Sequence, residues 1–217
     1  RVGAGVGRGG VVCVAAGDCD GHGLSLGNGE TVGGDKLMIA TGGRARPVPV
    51  DGADLDGVYT LRSIEDAEGI RARLVSGANV LVIGAGWIGL EVAAAARKRD
   101  ANATVIELAD RVCARALTPE MSAWVHELHG SHGVEIRLSA AFDHFEGDGK
   151  LQRAVLGDGT AIPCDVAVVG IGLIPNTELA EQAGLSIDNG IVVDEHGQTS
   201  HPDIFSAGDV TNHPNAL

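Results

Sequence analysis

Between Asn79 and Glu107 the chain reads NVLVIGAGWIGLEVAAAARKRDANATVIE, and no other stretch restricts its fold as much. Val80 to Ile83 is an apolar run of strand length, and Gly84-Ala85-Gly86-Trp87-Ile88-Gly89 follows it. An alanine-rich segment comes next, as a helix favours, and Thr104 to Ile106 returns as a second strand ending on Glu107, 23 residues after Gly84. A glycine turn that leaves a strand and opens a helix is the context in which G-x-G-x-x-G is informative. Gly84 permits the tight turn, Gly86 lets backbone approach a pyrophosphate, and Gly89 lets helix and strand pack closely. The helix N-terminus, with unpaired N–H groups and the positive end of its dipole, favours an anion. Glu107, at the tip of the next strand, can accept both hydroxyls of an adenosine ribose. The stretch predicts a dinucleotide site.

Charge indicates which dinucleotide. A charge-assisted hydrogen bond contributes roughly 1.5–3 kcal/mol, and Glu107 can make two with a bare ribose diol. A 2′-phosphate would instead meet like-charge repulsion of about 4 kcal/mol per unit charge at ~4 Å and an effective dielectric of ~20. NADH is therefore expected over NADPH.

The whole-chain balance limits the partners. A net charge of −13 argues against nucleic acid and anionic membranes, both of which need a basic surface. No apolar run reaches the length of a membrane span, and no basic-then-apolar signal segment opens the chain, so a cytoplasmic location is expected. Cys13, Cys19, Cys113 and Cys164 are scattered without a CxxC pair and read as reduced thiols. Oligomeric state is left open.

Elsewhere the chain alternates short strands and turns. Gly5-x-Gly7-x-x-Gly10 repeats the glycine spacing but lacks a strand before it and a helix after it, so it reads as a terminus rather than a phosphate turn. Strands are expected in VVCVAA, LSL and KLMIA, with Asn28-Gly29 as a hairpin turn. Residues 44–63 read as a loop joining two domains, and 64–75 as a helix with Ile64, Ala67, Ile70 or Arg71, and Leu74 on one face. Thr118-Pro119 starts a helix to about His129, Val134 to Leu138 is a further strand, and Phe142 to Cys164 is an antiparallel meander. A strand at Val166 to Val169 leads to Gly170-Ile171-Gly172 and a short helix at Thr177 to Ala183. The last strand ends at Gly208-Asp209. Asp18, Cys19, Asp20 and His22 fit no calcium loop, and the HELH of residues 126–129 is one residue short of the HExxH zinc spacing, so no metal is expected.

Together these stretches resemble the FAD-dependent pyridine nucleotide-disulfide oxidoreductases. Ala40-Thr41-Gly42, the Gly84 to Gly89 fingerprint and Gly208-Asp209 stand in the family's order. LRSIEDA (61–67), IGLE (88–91), VVGIGLIPN (168–176) and GIVVDEHGQTSHPDIFSAGDV (190–210) look most like the ferredoxin, rubredoxin and putidaredoxin reductase branch. The resemblance implies an α/β, Rossmann-like three-layer ββα fold, with an NAD domain (45–172) inserted into a partial FAD domain (1–44 and 173–217). It implies hydride transfer from NADH to FAD and electron transfer on to a ferredoxin- or rubredoxin-type acceptor. Near relatives include nitrite-reductase-type and coenzyme A disulfide reductases, and a degenerate NAD-binding module is the competing reading.

Residue by residue, the resemblance gives Gly84, Ala85, Gly86, Trp87, Ile88 and Gly89 to the NADH pyrophosphate and Glu107 to its ribose. Glu91 falls at the family's catalytic position beside the nicotinamide. Arg111 and Arg115 fall on the adenine side, Gly170 and Gly172 on the strand facing NADH, and Thr41, Gly42 and Asp209 near FAD. No strand-bound fingerprint precedes Ala40-Thr41-Gly42, and little follows Asp209, so the FAD site is expected to be incomplete and the chain a fragment.

Overall fold

The computed structural model describes residues 23–25, 29 and 31–214. The expected strand at VVCVAA, the terminal glycine spacing and the Asp18–His22 turn lie outside the described residues. The chain divides into two compact units, Ala45–Gly172 and the paired segments Arg1–Arg44 and Leu173–Leu217.

The Ala45–Gly172 unit is built on a five-stranded sheet in the order Val58–Thr60, Val166–Val169, Asn79–Ile83, Asn102–Ile106 and Val134–Arg137. All four pairings are parallel, so the connections must cross over a face of the sheet. Helices α1 (Ile64–Arg73), α2 (Trp87–Arg97) and α3 (Pro119–Ser131) supply three of them, and the segment between Val134–Arg137 and Val166–Val169 supplies the fourth. An antiparallel meander of Phe142–Gly147, Leu151–Leu156 and Ala161–Pro163 forms a third layer.

Period-2 alternation along strand Asn79–Ile83 explains the three layers. Val80 and Val82 join the core shared with Leu90, Ala93 and Ala96 of α2, whereas Leu81 and Ile83 join Phe145, Leu151 and Ile162 of the meander. A strand covered on both faces has to be apolar throughout, and this one is buried at every position after Asn79. Each fully buried Val, Leu or Ile contributes about 1.5–3 kcal/mol relative to exposure. The small residues of α2, with Ala93 and Ala96 at 0% exposure, let the helix lie close to the sheet.

Helix starts follow local chemistry. Ser63 and Asp66 close a capping box on α1: Asp66 N–H donates to Ser63 Oγ (3.1 Å), and Ser63 N–H donates to Asp66 Oδ2 (2.9 Å). On α3 the Met121 N–H donates to Thr118 Oγ1, with Pro119 in the first turn as expected. Two expectations need correction. The stretch 44–63 is not all loop, because Val58–Thr60 is a sheet strand that pairs, among the described residues, with Val166–Val169. The inner face of α1 is set by Ile70 and Leu74, while Ile64 is 75% exposed.

In the other unit, Gly23–Ser25 pairs antiparallel with Thr31–Gly33. Ile204–Ser206 runs parallel to Leu37–Ile39, and Ile191–Val192 runs parallel to Thr211–Asn212. Ile39, Ala180, Ile191, Ile204 and Val210 form its core, over which lies the short helix α4 (Glu178–Gln182).

Candidate functional site

The three fingerprint glycines stand in three different surroundings. Gly84 has φ +104°, and a Cβ there would lie 2.4 Å from the Gly170 carbonyl oxygen. Gly170 N–H in turn donates to Ile83 O at 2.8 Å, so strand ends Asn79–Ile83 and Val166–Val169 meet backbone to backbone. A Cβ on Gly89 would sit 2.1 Å from the Gly84 carbonyl, so only glycine lets α2 pack onto the turn. At Gly86 an added Cβ meets nothing within 4 Å, and its backbone is ordinary extended chain (φ −77°, ψ −179°). No contact within the protein demands glycine at 86.

At the head of α2, Gly86 is the N-cap, no side chain caps it, and the first turn carries no acid. The leading N–H groups of a helix have no intrahelical acceptor, an arrangement compatible with an anion. Trp87 and Ile88 in that first turn are 53% and 52% exposed.

Glu107 is fixed in place by backbone donors. Its Oε2 accepts the Ala85 N–H at 2.7 Å and its Oε1 accepts the Ala109 N–H at 2.9 Å. A carboxylate offers about four acceptor positions, so two remain for a diol. Beside it opens a cavity of about 230 Å³ walled by Val48, Leu108, Phe142 and Ile171, apolar surfaces suited to a flat heteroaromatic ring. Leu108 is 73% exposed on its rim.

The remaining predicted residues fall into three groups. Glu91 is exposed on α2 and lines a groove with Leu61, Arg71 and Arg99. Arg111 turns back onto its own loop, donating to Ala114 O (2.9 Å) and lying 3.5 Å from Asp110, while its buried Nε has no hydrogen-bond partner. Arg115 is exposed, and Gly172 (φ +117°) accepts the Arg46 N–H through its carbonyl. In the other unit, Thr41 Oγ1 donates to Asn176 O (2.7 Å) and Asn176 Nδ2 donates to Thr41 O (3.0 Å), with Gly42 accepting the Asn176 N–H. Asp209 is exposed beside a cavity of about 690 Å³ that also includes Asp194, Ser206, Gly208 and His213. Asn176 was not singled out from the sequence, since its partner Thr41 lies 135 residues away.

No group of three or more His, Cys, Asp or Glu side chains capable of holding a metal occurs among the described residues. No described helix is long and apolar enough to cross a membrane. Cys113 and Cys164 are buried free thiols, and burial pushes the Cys164 thiol up to about 12.

A parallel sheet, an uncapped glycine-headed helix and an acid at the neighbouring strand tip define the class as a dinucleotide-binding protein. The chain belongs to the pyridine nucleotide-disulphide oxidoreductase family, whose description matches residues 6–217. It is 46% identical over 181 residues to rhodocoxin reductase of Rhodococcus erythropolis, covering 83% of this chain and 42% of that protein. It is 44% identical over 190 residues to putidaredoxin reductase CamA of Pseudomonas putida, covering 85% and 45% respectively. Among solved structures, the ferredoxin reductase for the CYP199A2 system of Rhodopseudomonas palustris matches with a TM-score of 0.85 at 40% identity, over 90% of this chain and 49% of that one. The covalent putidaredoxin reductase–putidaredoxin complex matches at 0.86 and 42% identity, over 94% and 50%. The chain thus spans about half the length of the curated relatives it matches.

Proposed function

We propose that this chain is the NADH-binding core of a flavoprotein reductase that passes electrons to a ferredoxin- or rubredoxin-type protein in the cytoplasm. The observation that carries the NADH half is Gly86 at the head of α2, where an added Cβ meets no protein atom within 4 Å, so the turn leaves open the space a pyrophosphate would take. The Gly84–Gly89 turn, including the amides of Ala85, Trp87 and Ile88, holds the pyrophosphate at the head of α2. Glu107 holds the adenosine ribose, and Val48, Leu108 and Ile171 enclose the adenine. Arg111 and Arg115 lie in the loop that follows Glu107 and supply positive charge on the adenine side. Gly170 and Gly172, bearing no side chains, leave room for the dinucleotide along the neighbouring strand. Glu91, one turn into α2, orients the nicotinamide end.

For the flavin half, Asp209 at the rim of its cavity offers an acceptor to a ribityl hydroxyl, and the Thr41–Gly42–Asn176 stitch fixes the backbone near the dinucleotide. Flavin, when bound, supplies a two-electron acceptor for hydride and a one-electron donor for an iron–sulfur partner. This chain's own contribution is to orient NADH and exclude water from it. The names of the relatives support this reading, because they are NAD-linked reductases of rhodocoxin, putidaredoxin, ferredoxins and rubredoxins.

Calorimetric titration of the 217-residue chain tests the reading. NADH is expected to bind about tenfold or more tightly than NADPH, given the repulsion at Glu107. Equal affinities would overturn the ribose assignment.

A further inference from the structure

One residue of the glycine turn is held at both ends by groups from outside the turn. Ala85 is 0% exposed, and its N–H goes to Glu107. Its carbonyl accepts two donors from one residue: the Cys113 N–H at 2.9 Å and the Cys113 thiol at 3.5 Å. Cys113 is 6% exposed and adopts φ +47°, a left-handed conformation that disfavours every residue except glycine and, less strongly, Asn or Asp. Glycine would satisfy that backbone without strain and would keep the N–H donor. A cysteine there adds only its side chain, which points at the Ala85 carbonyl. Burial, and then the nearby Glu107 carboxylate, raise the thiol's pKa, so it stays protonated and can donate.

The loop carrying Cys113 is itself tied down from α3. Ser122 is 1% exposed, and its Oγ donates to the Val112 carbonyl at 2.6 Å. A buried hydroxyl in a helix packed on a sheet is costly without a partner, and its partner is the residue immediately before Cys113. A continuous chain of hydrogen bonds and covalent links therefore runs from Ser122 through Val112 and Cys113 to the Ala85 carbonyl.

The carbonyl of Ala85 and the N–H of Gly86 belong to one peptide unit. Donors on the carbonyl fix the plane of that unit and polarise its N–H, because hydrogen bonds in series strengthen one another. We infer that Cys113 and Ser122 are positioning residues for pyrophosphate binding, acting by orienting the Ala85–Gly86 peptide at the head of α2. This rests on the reading of the turn as an NADH site.

The test compares two ligands on the 217-residue chain: ADP-ribose, which carries the pyrophosphate, and adenosine, which does not. Binding is followed by NMR titration and stability by thermal unfolding. Cys113→Ala and Ser122→Ala are expected to weaken ADP-ribose about three- to fivefold, the effect of one modest hydrogen bond, with adenosine changed by less than about 1.5-fold. Cys113→Ser, which keeps a donor, restores ADP-ribose binding. Cys113→Gly relieves the backbone and raises the melting temperature yet still weakens ADP-ribose, which separates positioning from stability. Equal losses for both ligands, or Cys113→Gly binding as tightly as wild type, would overturn the inference while the NADH reading stands. A wild-type chain that binds neither NADH nor ADP-ribose would overturn both.

Discussion

Alanine at Gly84 and at Gly86 should produce opposite failures, although the two positions are neighbours in one motif. At Gly84 the substitution places a Cβ 2.4 Å from the Gly170 carbonyl and holds it at φ +104°. Left-handed backbone costs about 1–2 kcal/mol and overpacking about 1–3 kcal/mol, so the loss is about 2–5 kcal/mol. Global stabilities are typically about 5–15 kcal/mol, so this is a large fraction. At roughly 2–4 °C per kcal/mol for a chain of this size, Gly84→Ala should lower the melting temperature by about 4–20 °C. Gly86→Ala meets no atom within 4 Å and needs no unusual dihedral. Its cost is the poorer N-cap, about 1 kcal/mol or less. Its methyl, however, occupies the face from which backbone would approach a pyrophosphate, and NADH affinity should fall at least about tenfold. Thermal unfolding read beside calorimetric NADH titration gives both axes. The reasoning fails if Gly86→Ala binds NADH within about threefold of wild type, or if it is as destabilised as Gly84→Ala.

Two further outcomes follow from local geometry. Glu107→Arg removes the ribose acceptor and supplies a cation for a 2′-phosphate, so the NADPH-to-NADH affinity ratio should rise by about tenfold or more, and an unchanged ratio in paired titrations would count against the assignment. Ser63→Ala opens the capping box on α1 and should cost about 1 kcal/mol in urea unfolding. Burial alone would raise the Asp66 pKa, but the Ser63 and Arg62 N–H groups it accepts outweigh this and hold it below the usual carboxylate value. Its contribution is therefore present above the unfolded-state value of about 4 and is lost as pH falls through the lower folded value. Asp66→Asn should flatten that part of the acid stability profile, and an unaltered profile would show that the cap contributes nothing.

Signals confined to a few neighbouring residues were the ones the sequence disclosed. The strand–turn–helix–strand run of 79–107, the Thr118-Pro119 helix start and the meander of 142–164 all appear where local pattern puts them. Strand Val58–Thr60 was hidden because it lies at the end of a proline-containing stretch and pairs, among the described residues, with Val166–Val169, more than a hundred residues later. Helical periodicity alone put Ile64 inward, yet it lies in the first turn of α1 and is exposed, while Ile70 and Leu74 are buried.

The amino-acid order by itself pointed to a glycine turn between the strand ending at Ile83 and the helix opening at Trp87, and at Gly84 the φ of +104° and the nearby Gly170 carbonyl account for the residue. It also determined the sign of charge at Glu107, on which the proposed preference for NADH rests. Tertiary structure alone decided that Gly86 faces open space while Gly84 and Gly89 face backbone, although the three are equal as letters. It alone brought Cys113 and Glu107 to the two ends of Ala85, and Asn176 to Thr41. Spacing along a chain fixes what neighbours can do, but hydrogen bonds between distant residues exist only once the sheet and its layers have packed.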